Sequence, residues 1–185
     1  MPHKKVKCFI SGQEISWSEY LQFTLGPDNY IYCDLDGKLP SKERVYSYNN
    51  KELLSANLAK FSEIWPHASL KDGFIVSIEQ LFLQKILQYV ALANKSGNVD
   101  FGKDKITKKI ANKKHTQLIL QSCNASLQEK FNNKCDNVIV IDVFDEMALS
   151  DMCGSKRVTY LLIENRGFIN SIMDIYNRYK KFMGI

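Results

Sequence analysis

The sequence lacks the motifs of the common nucleotide-binding and catalytic classes. It contains neither a Gly-x-x-x-x-Gly-Lys-Ser/Thr loop nor a Gly-x-Gly-x-x-Gly loop. Its three histidines, His3, His67 and His115, are too scattered for a metal site or a catalytic triad. We therefore predict that the protein is not an enzyme, and that it uses no cofactor, no metal ion and no small-molecule substrate.

Long hydrophobic runs are also missing. The most apolar segment, 74–93, is interrupted by Glu79 and Lys85. A membrane-spanning helix needs about 20 predominantly apolar residues, so we predict no membrane span. The basic residues 1–5 are not followed by the apolar stretch of a secretory signal, and we expect a cytoplasmic protein.

The cysteines lack the spacing of a disulfide framework or a zinc knuckle. There are five of them, an odd number, and no Cys-x-x-Cys occurs. We expect reduced and mostly buried thiols at 8, 33, 123, 135 and 153.

What the sequence does have is an uneven distribution of positive charge. Residues 1–78 contain 9 Lys and Arg against 9 Asp and Glu, whereas residues 79–185 contain 16 against 11. The whole net charge of +5 therefore lies in the second part. A polyanionic partner would be attracted mainly to that part.

Hydrophobic patterning predicts an α/β protein with two domains. Residues 1–65 should form a small α+β domain, with a hairpin of strands 20–25 and 30–34 and a helix over 51–64. Residues 66–76 have the composition of a linker. Residues 77–185 alternate between helices and strands, which predicts a three-layer α/β/α sandwich with a mostly parallel or mixed sheet.

The predicted elements of the sandwich follow from this alternation. Asp145 and Glu146 should act as the cap and first-turn acid of one helix rather than as catalytic acids. The predicted helices are 77–94, 103–112, 125–133, 145–153 and 168–182, and the predicted strands are 116–121, 137–142 and 158–163.

The strongest local feature is a lysine-rich segment that follows Gly102. Six lysines fall within residues 103–114, opposed only by Asp104. Ile106 and Ile110 would anchor one helix face, so that Lys105, Lys108 and Lys109 point to solvent. A glycine before a helix also leaves backbone N–H groups that can bind a phosphate. The alternative is a solvated lysine-rich helix without a ligand.

Residues 87–181 resemble the bacterial branch of the kink-turn-binding ribosomal-protein superfamily (the L-seven-Ae-like fold). Ala93-Asn94-Lys95-Ser96-Gly97 resembles the end of its first helix. Gly102-Lys-Asp-Lys-Ile-Thr-Lys-Lys-Ile110 resembles its RNA-recognition signature, Gly-Thr-Asn-Glu-Val-Thr-Lys-Ala-Ile. Asp104 stands where the family has Asn, and an ionised Asp only accepts hydrogen bonds. The resemblance therefore implies RNA binding mainly through phosphates.

The same resemblance implies the residues of the RNA-facing edge. The family's second contact loop corresponds to residues 149–157. The candidate RNA-binding residues are Gly102, Lys103, Asp104, Lys105, Lys108, Lys109, Lys156 and Arg157. Asp104 and Lys108 would be the ones that touch bases.

The N-terminal part is similar to the YlxR family of small bacterial nucleic-acid-binding proteins. Lys7-Cys8-Phe9-Ile10-Ser11-Gly12-Gln13-Glu14 corresponds to its Arg-Cys-Ile-Val-Thr-Gly-Glu, and Asp34-x-x-Gly37-Lys38-Leu39-Pro40 matches closely. The resemblance implies nucleic-acid contacts at Lys7, Lys38, Lys42 and Arg44. Tyrosines 20, 30, 32 and 46 could stack on bases, or could serve as packing partners within a sheet.

Together these features predict a non-catalytic RNA-binding protein whose partner is a structured RNA of the ribosome, of translation or of RNA processing. Two alternatives remain open. One is a protein–protein adaptor that has kept the fold, and the other is a nucleoid-associated DNA-binding regulator. The identity of the RNA and the oligomeric state are not predicted.

Overall fold

The computed structural model describes residues 5–16, 19–41, 43–111, 115–126, 131, 137–154 and 157–185. In this part of the chain there are six α-helices and three small sheets, which confirms the predicted α/β class. The chain divides into two compact units. Unit 1 comprises the described residues up to Leu83 together with Tyr176–Ile185, and unit 2 comprises those of Gln84–Ile175.

Unit 1 contains two antiparallel sheets. Its strands are β1 Val6–Lys7, β2 Glu14–Ile15, β3 Tyr20–Leu25, β4 Ile31–Cys33 and β5 Arg44–Tyr48. β1 pairs with β2, and the other three strands follow the order β4-β3-β5. The pairing of Phe23 with Cys33 and of Leu25 with Ile31 confirms the predicted hairpin. β5 was not predicted, because its pairing with β3 joins segments about 20 residues apart in the chain.

The predicted helix over 51–64 is wrong as a single element. It is divided into α1 Lys51–Ser55 and α2 Lys60–Ile64. The Asn57 side chain donates a 2.8 Å hydrogen bond to the Leu53 carbonyl, and the Asn57 N–H donates to the Leu54 carbonyl at 3.1 Å. Such side-chain bonding to nearby backbone competes with the regular helical pattern. The apolar spacing therefore continues across a break in the helix.

Aromatic side chains draw the predicted linker into the core of unit 1. Trp65, which directly precedes the linker, and Phe74, which lies within it, are both buried. The Phe74 ring lies 6.0 Å from that of Phe23 and 5.9 Å from that of Phe61. The predicted boundaries, 1–65, 66–76 and 77–185, do not coincide with the division into compact units, because 66–83 and 176–185 are grouped with unit 1.

Helix α3, Phe74–Lys95, begins three residues earlier than predicted. Its buried residues recur mostly at every fourth position, as in a core helix. They are Phe74, Ile78, Phe82, Ile86, Val90 and Ala93. Of the described helices, α3 alone has the length and the apolar composition that a membrane-spanning helix needs. Composition alone therefore does not exclude a span, contrary to the sequence-based prediction.

Unit 2 is built on a four-stranded mixed sheet in the order β6-β9-β7-β8. Its strands are β6 Val99–Phe101, β7 Gln117–Ser122, β8 Val138–Phe144 and β9 Tyr160–Ile163. Only β7 and β8 are parallel, so the sheet is mixed rather than mostly parallel. The predicted helix 125–133 falls largely outside the described residues, and Ala125 and Ser126 are not helical.

Both faces of this sheet are buried, as the three-layer prediction requires. On one face, Ile119 and Leu162 pack with Ile106 of helix α4. Their strand neighbours Leu118 and Leu161 are also buried, and alternation places these on the opposite face. The remaining helices are α4 Lys103–Ile110, α5 Glu146–Cys153 and α6 Arg166–Met183.

Asp34 organises the turn that follows β4. Its buried carboxylate accepts hydrogen bonds from the Gln22 amide and from the backbone N–H groups of Lys38 and Leu39, each at 3.0 Å. The turn that resembles the YlxR signature is therefore held in place by a buried acidic side chain.

We expect Asp34→Ala to destabilise unit 1 by about 2–3 kcal/mol, because it leaves a buried amide and two N–H groups without their acceptor. The measurement is urea unfolding followed by tryptophan fluorescence. Glu63→Ala, at an exposed acid of α2 in the same unit, is the control and should cost less. Equal losses for the two variants would contradict this role of Asp34.

Candidate nucleic-acid interface

Helix α4 begins at Gly102 without a side-chain cap. Gly102 has φ 89° and ψ 134°, a conformation that favours glycine. The starts of α1 and α5 differ, since Asn50 and Asp145 each accept a backbone hydrogen bond there. The first N–H groups of a helix have no partner within the helix. At α4 the capping residue is a glycine, which has no side chain to accept from these N–H groups, and a helix start of this kind can bind an anion.

Ile106 fixes the inward face of this helix. It is fully buried in a cluster with Ile119 and Leu162, and Ile110 packs against the same cluster. The predicted anchoring by two isoleucines is therefore confirmed. The predicted helix 103–112 ends at Ile110, with Ala111 as its C-cap, and Asn112, Lys113 and Lys114 lie outside the described residues.

Two of the four described lysines of α4 bind the carboxylate of Asp100. Asp100 pairs with Leu162 across β6 and β9, which places it on the sheet face that α4 covers. The Lys105 ammonium lies 2.6 Å from one oxygen of Asp100, and the Lys109 ammonium binds the other oxygen. One acid at the sheet edge therefore engages two of the predicted RNA-binding lysines.

Lys109 is also held by a second acid. Its ammonium lies 3.2 Å from Glu164, whose other oxygen accepts a 2.7 Å hydrogen bond from the Gln117 amide. The side chain of Lys109 is only 33% exposed. The prediction that Lys109 points freely to solvent is therefore wrong, because Asp100 and Glu164 draw it onto the sheet edge.

The contacts between Asp100 and the two lysines stabilise the charged forms of Asp100 and Lys109. Burial pushes the pKa of Asp100 upward, but the hydrogen bonds from Lys105 and Lys109 outweigh it, so the pKa lies below the ordinary value. The hydrogen bond to Asp100 raises the pKa of Lys109. Both groups are therefore charged near neutral pH.

The other predicted contacts of α4 are spread along the helix, with Lys103 and Asp104 in its first turn and Lys108 in its last turn. Asp104 and Lys108 are exposed and one helical turn apart, and Lys103 is half-buried. With the paired residues included, the described cluster has four lysines (103, 105, 108 and 109) against three acids, Asp100, Asp104 and Glu164. Its local charge is thus +1 rather than the +3 that residues 103–110 alone would give.

The second predicted contact loop is tied to α5. The Arg157 guanidinium lies 2.9 Å from the Glu146 carboxylate, although the Arg157 side chain is 78% exposed. Glu146 also accepts a 3.1 Å hydrogen bond from the Thr159 hydroxyl. Lys156 lies outside the described residues. Asp145 accepts a 2.7 Å hydrogen bond from the Ala148 N–H, which confirms its predicted role as a cap.

In unit 1, the Arg44 side chain binds backbone carbonyls of the turn that precedes it. Its guanidinium donates to the carbonyls of Gly37 and Leu39 at 3.4 and 3.1 Å, which brings it beside the exposed Lys38. Lys7 is exposed on β1, and Lys42 lies outside the described residues. The structure therefore brings Lys38 and Arg44 together, with Arg44 holding the turn.

The four tyrosines fall into two groups. Tyr20 of β3 and Tyr46 of β5 pack with ring centroids 5.0 Å apart, as diagonal neighbours on two paired strands. The rings of Tyr30 and Tyr32 instead face Lys71, whose ammonium lies 5.2 and 4.8 Å from their centroids. Sequence reasoning missed Lys71, since only the tertiary structure brings it to β4.

The described cysteines are free thiols, as predicted, but Cys8 alone is buried. Cys33 and Cys153 are half-buried, Cys123 is exposed, and Cys135 lies outside the described residues. Burial raises the pKa of Cys33 to about 12 and that of Cys153 to about 11, which makes these thiols poor nucleophiles. No group of acids, histidines and cysteines among the described residues could hold a metal ion.

Comparison with known proteins leaves the family open. No family model matches the chain, and no curated protein matches it. A solved protein of unknown function from Bacillus halodurans is similar at 20% sequence identity. The match covers 50% of this chain and 97% of that one, with a TM-score of 0.44. A likeness of this size assigns neither a fold nor a function.

We expect Lys109→Met to destabilise unit 2 by about 1–2 kcal/mol, because it leaves Asp100 and Glu164 without their shared cation. Lys105→Met is the control and should cost less than about 1 kcal/mol, since Lys109 still pairs with Asp100. Thermal unfolding tests this, at about 2–4 °C per kcal/mol for a chain of this size. A larger shift for Lys105→Met would contradict the anchoring role of Lys109.

The Asp100 cluster should also make stability depend on pH. Because the pKa of Asp100 is lower in the folded state, its contribution is present above the ordinary value of about 3.9. That contribution is lost as the pH falls from there through the lower folded pKa. Unfolding curves between pH 2 and 6 should show a steeper acid loss for the native chain than for Asp100→Asn. Superimposable pH profiles would contradict the pairing.

Proposed function

We propose that this protein is a non-catalytic RNA-binding protein that contacts structured RNA at the first turn of α4. The observation that carries the proposal is the solvent-facing start of that helix. Gly102 opens it without a side-chain cap, Lys103 is its first residue, and the exposed Lys108 lies in the last turn of the same helix. Backbone N–H groups at a helix start, the positive end of the helix dipole and ammonium groups on the same helix are the features that bind phosphate.

Each residue of α4 has its own part in this proposal. The backbone N–H groups after Gly102 bind phosphate, and Lys103 and Lys108 add charge along its flank. The exposed carboxylate of Asp104 only accepts hydrogen bonds, so it faces the amino groups of bases rather than phosphates. Lys109 serves as an anchor that holds the helix on the sheet.

The proposed partner follows from the resemblances stated above. A bacterial cytoplasmic protein with these signatures would bind ribosomal RNA or an RNA of translation or RNA processing. Lys7, Lys38, Lys42, Lys156 and Arg157 are auxiliary phosphate contacts in this proposal. Arg44 supports them by holding the turn that carries Lys38.

A specific observation favours a second function, that of a protein–protein adaptor. Asp100 engages two of the four described α4 lysines and Glu164 engages one of them, which reduces the local charge available to a polyanion. An adaptor would keep such a neutralised surface for protein contacts, and it would have no salt-dependent affinity for RNA.

We expect Lys103→Glu/Lys108→Glu to weaken RNA binding at least tenfold, because the change replaces attraction of phosphates by repulsion. The measurement is fluorescence anisotropy of a labelled RNA hairpin that carries an asymmetric internal loop, titrated at several salt concentrations. For the native chain, two or three phosphate contacts predict a slope of about −2 to −3 in log affinity against log salt.

The matched control is Lys85→Glu/Lys95→Glu, which reverses two charges on α3 within unit 2 and should lose no more than about threefold. Equal losses for both double variants would contradict the α4 site. Native protein with no salt-dependent affinity for the hairpin would instead support the adaptor, and equal competition by duplex DNA would support the DNA-binding alternative.

A further inference from the structure

The Asp100 carboxylate binds two ammonium groups that differ in their surroundings. Lys109 has two acidic partners, Asp100 and Glu164, whereas the described contacts give Lys105 only Asp100. The Lys105 side chain is 61% exposed, against 33% for Lys109 and 18% for Asp100. The outer lysine is therefore held by one acid at the protein surface, and the inner lysine is held by two.

This asymmetry makes the two ion pairs unequal in the free energy needed to break them. When Lys105 leaves Asp100, the carboxylate keeps its bond to Lys109, so no buried charge loses its last partner. When Lys109 leaves, both Asp100 and Glu164 lose a cation at a half-buried position. Exposed ion pairs contribute little to stability, whereas unpairing a buried charge is costly.

We propose that Asp100 is an internal competitor for the RNA backbone, which Lys105 exchanges for a phosphate when RNA binds at α4. Lys109 keeps Asp100 paired during the exchange and keeps α4 on the sheet. This inference rests on the proposed function, and it adds a device that sets how strongly the same site binds a polyanion.

The competitor also affects selectivity. An anion must place a phosphate at Lys105 well enough to replace a carboxylate oxygen at 2.6 Å. A polyanion that approaches α4 without such a phosphate gains nothing from Lys105 and is repelled by Asp100 and Asp104. Asp100 therefore lowers the affinity for non-specific polyanions more than the affinity for a fitting RNA, since specificity arises from such a repulsive element.

Asp100→Asn tests the exchange in the full-length chain with the same labelled RNA hairpin. We expect a two- to fivefold gain in affinity, about the strength of an exposed ion pair. The slope of the salt dependence should stay nearly the same, because Lys105 meets a phosphate in the bound state of both proteins and the number of neutralised phosphates does not change. Polyphosphate, as a non-specific competitor, should gain more affinity than the hairpin.

Two further variants show whether the gain comes from Lys105. Glu164→Gln makes the same change in net charge beside Lys109 but leaves the Lys105 pair intact, so it should give less than half the gain. In a Lys105→Gln background, Asp100→Asn should give no gain in affinity. A gain that survives in Lys105→Gln, or that Glu164→Gln reproduces, would overturn the proposal.

A readout on the native chain covers the case in which Asp100→Asn does not fold. On addition of the hairpin, the side-chain ammonium NMR signal of Lys105 should shift while that of Lys109 stays in place. A stationary Lys105 signal in protein that binds the hairpin would overturn the exchange alone. Failure of the native chain and of Asp100→Asn to bind the hairpin at all would overturn the proposed function as well.

Discussion

The contact between the Asp100 carboxylate and the lysines of α4 is the constraint on which the candidate interface depends. It fastens a short, highly charged helix to the edge strand of a sheet, through Lys105 and through Lys109 in the last turn of the helix. Ile106 supplies the apolar contact on the inner side. Asp100 binds both lysines. Lys109 anchors the helix, and in our proposal Lys105 can be released.

The ion pairs of Asp100 and Glu164 reduce the positive charge that α4 presents to a polyanion. A lysine-rich helix attracts a polyanion only through ammonium groups that are not already compensated. Glu164 and Asp100 together leave α4 and its surroundings with much less excess charge than the segment itself contains. The proposed RNA site therefore has less excess positive charge than the lysine run alone suggests.

Unit 1 shows the same principle in a turn. Asp34 and Arg44 belong to the segment that resembles a nucleic-acid-binding signature, yet both are engaged by backbone groups of that turn. The buried acid accepts from two N–H groups, and the arginine donates to two carbonyls. Their contribution to any ligand is indirect, through the position of Lys38.

Much of the secondary structure follows from the sequence, because apolar spacing, turn residues and helix caps act over a few residues. The β3–β4 hairpin, α3 and the Asp145 cap of α5 are of this kind. Strand β5, the order of the mixed sheet and the pairing of Lys109 with Glu164 required the tertiary structure. These contacts join residues that are distant in the chain, Lys109 and Glu164 being 55 positions apart, and no local pattern specifies such partners.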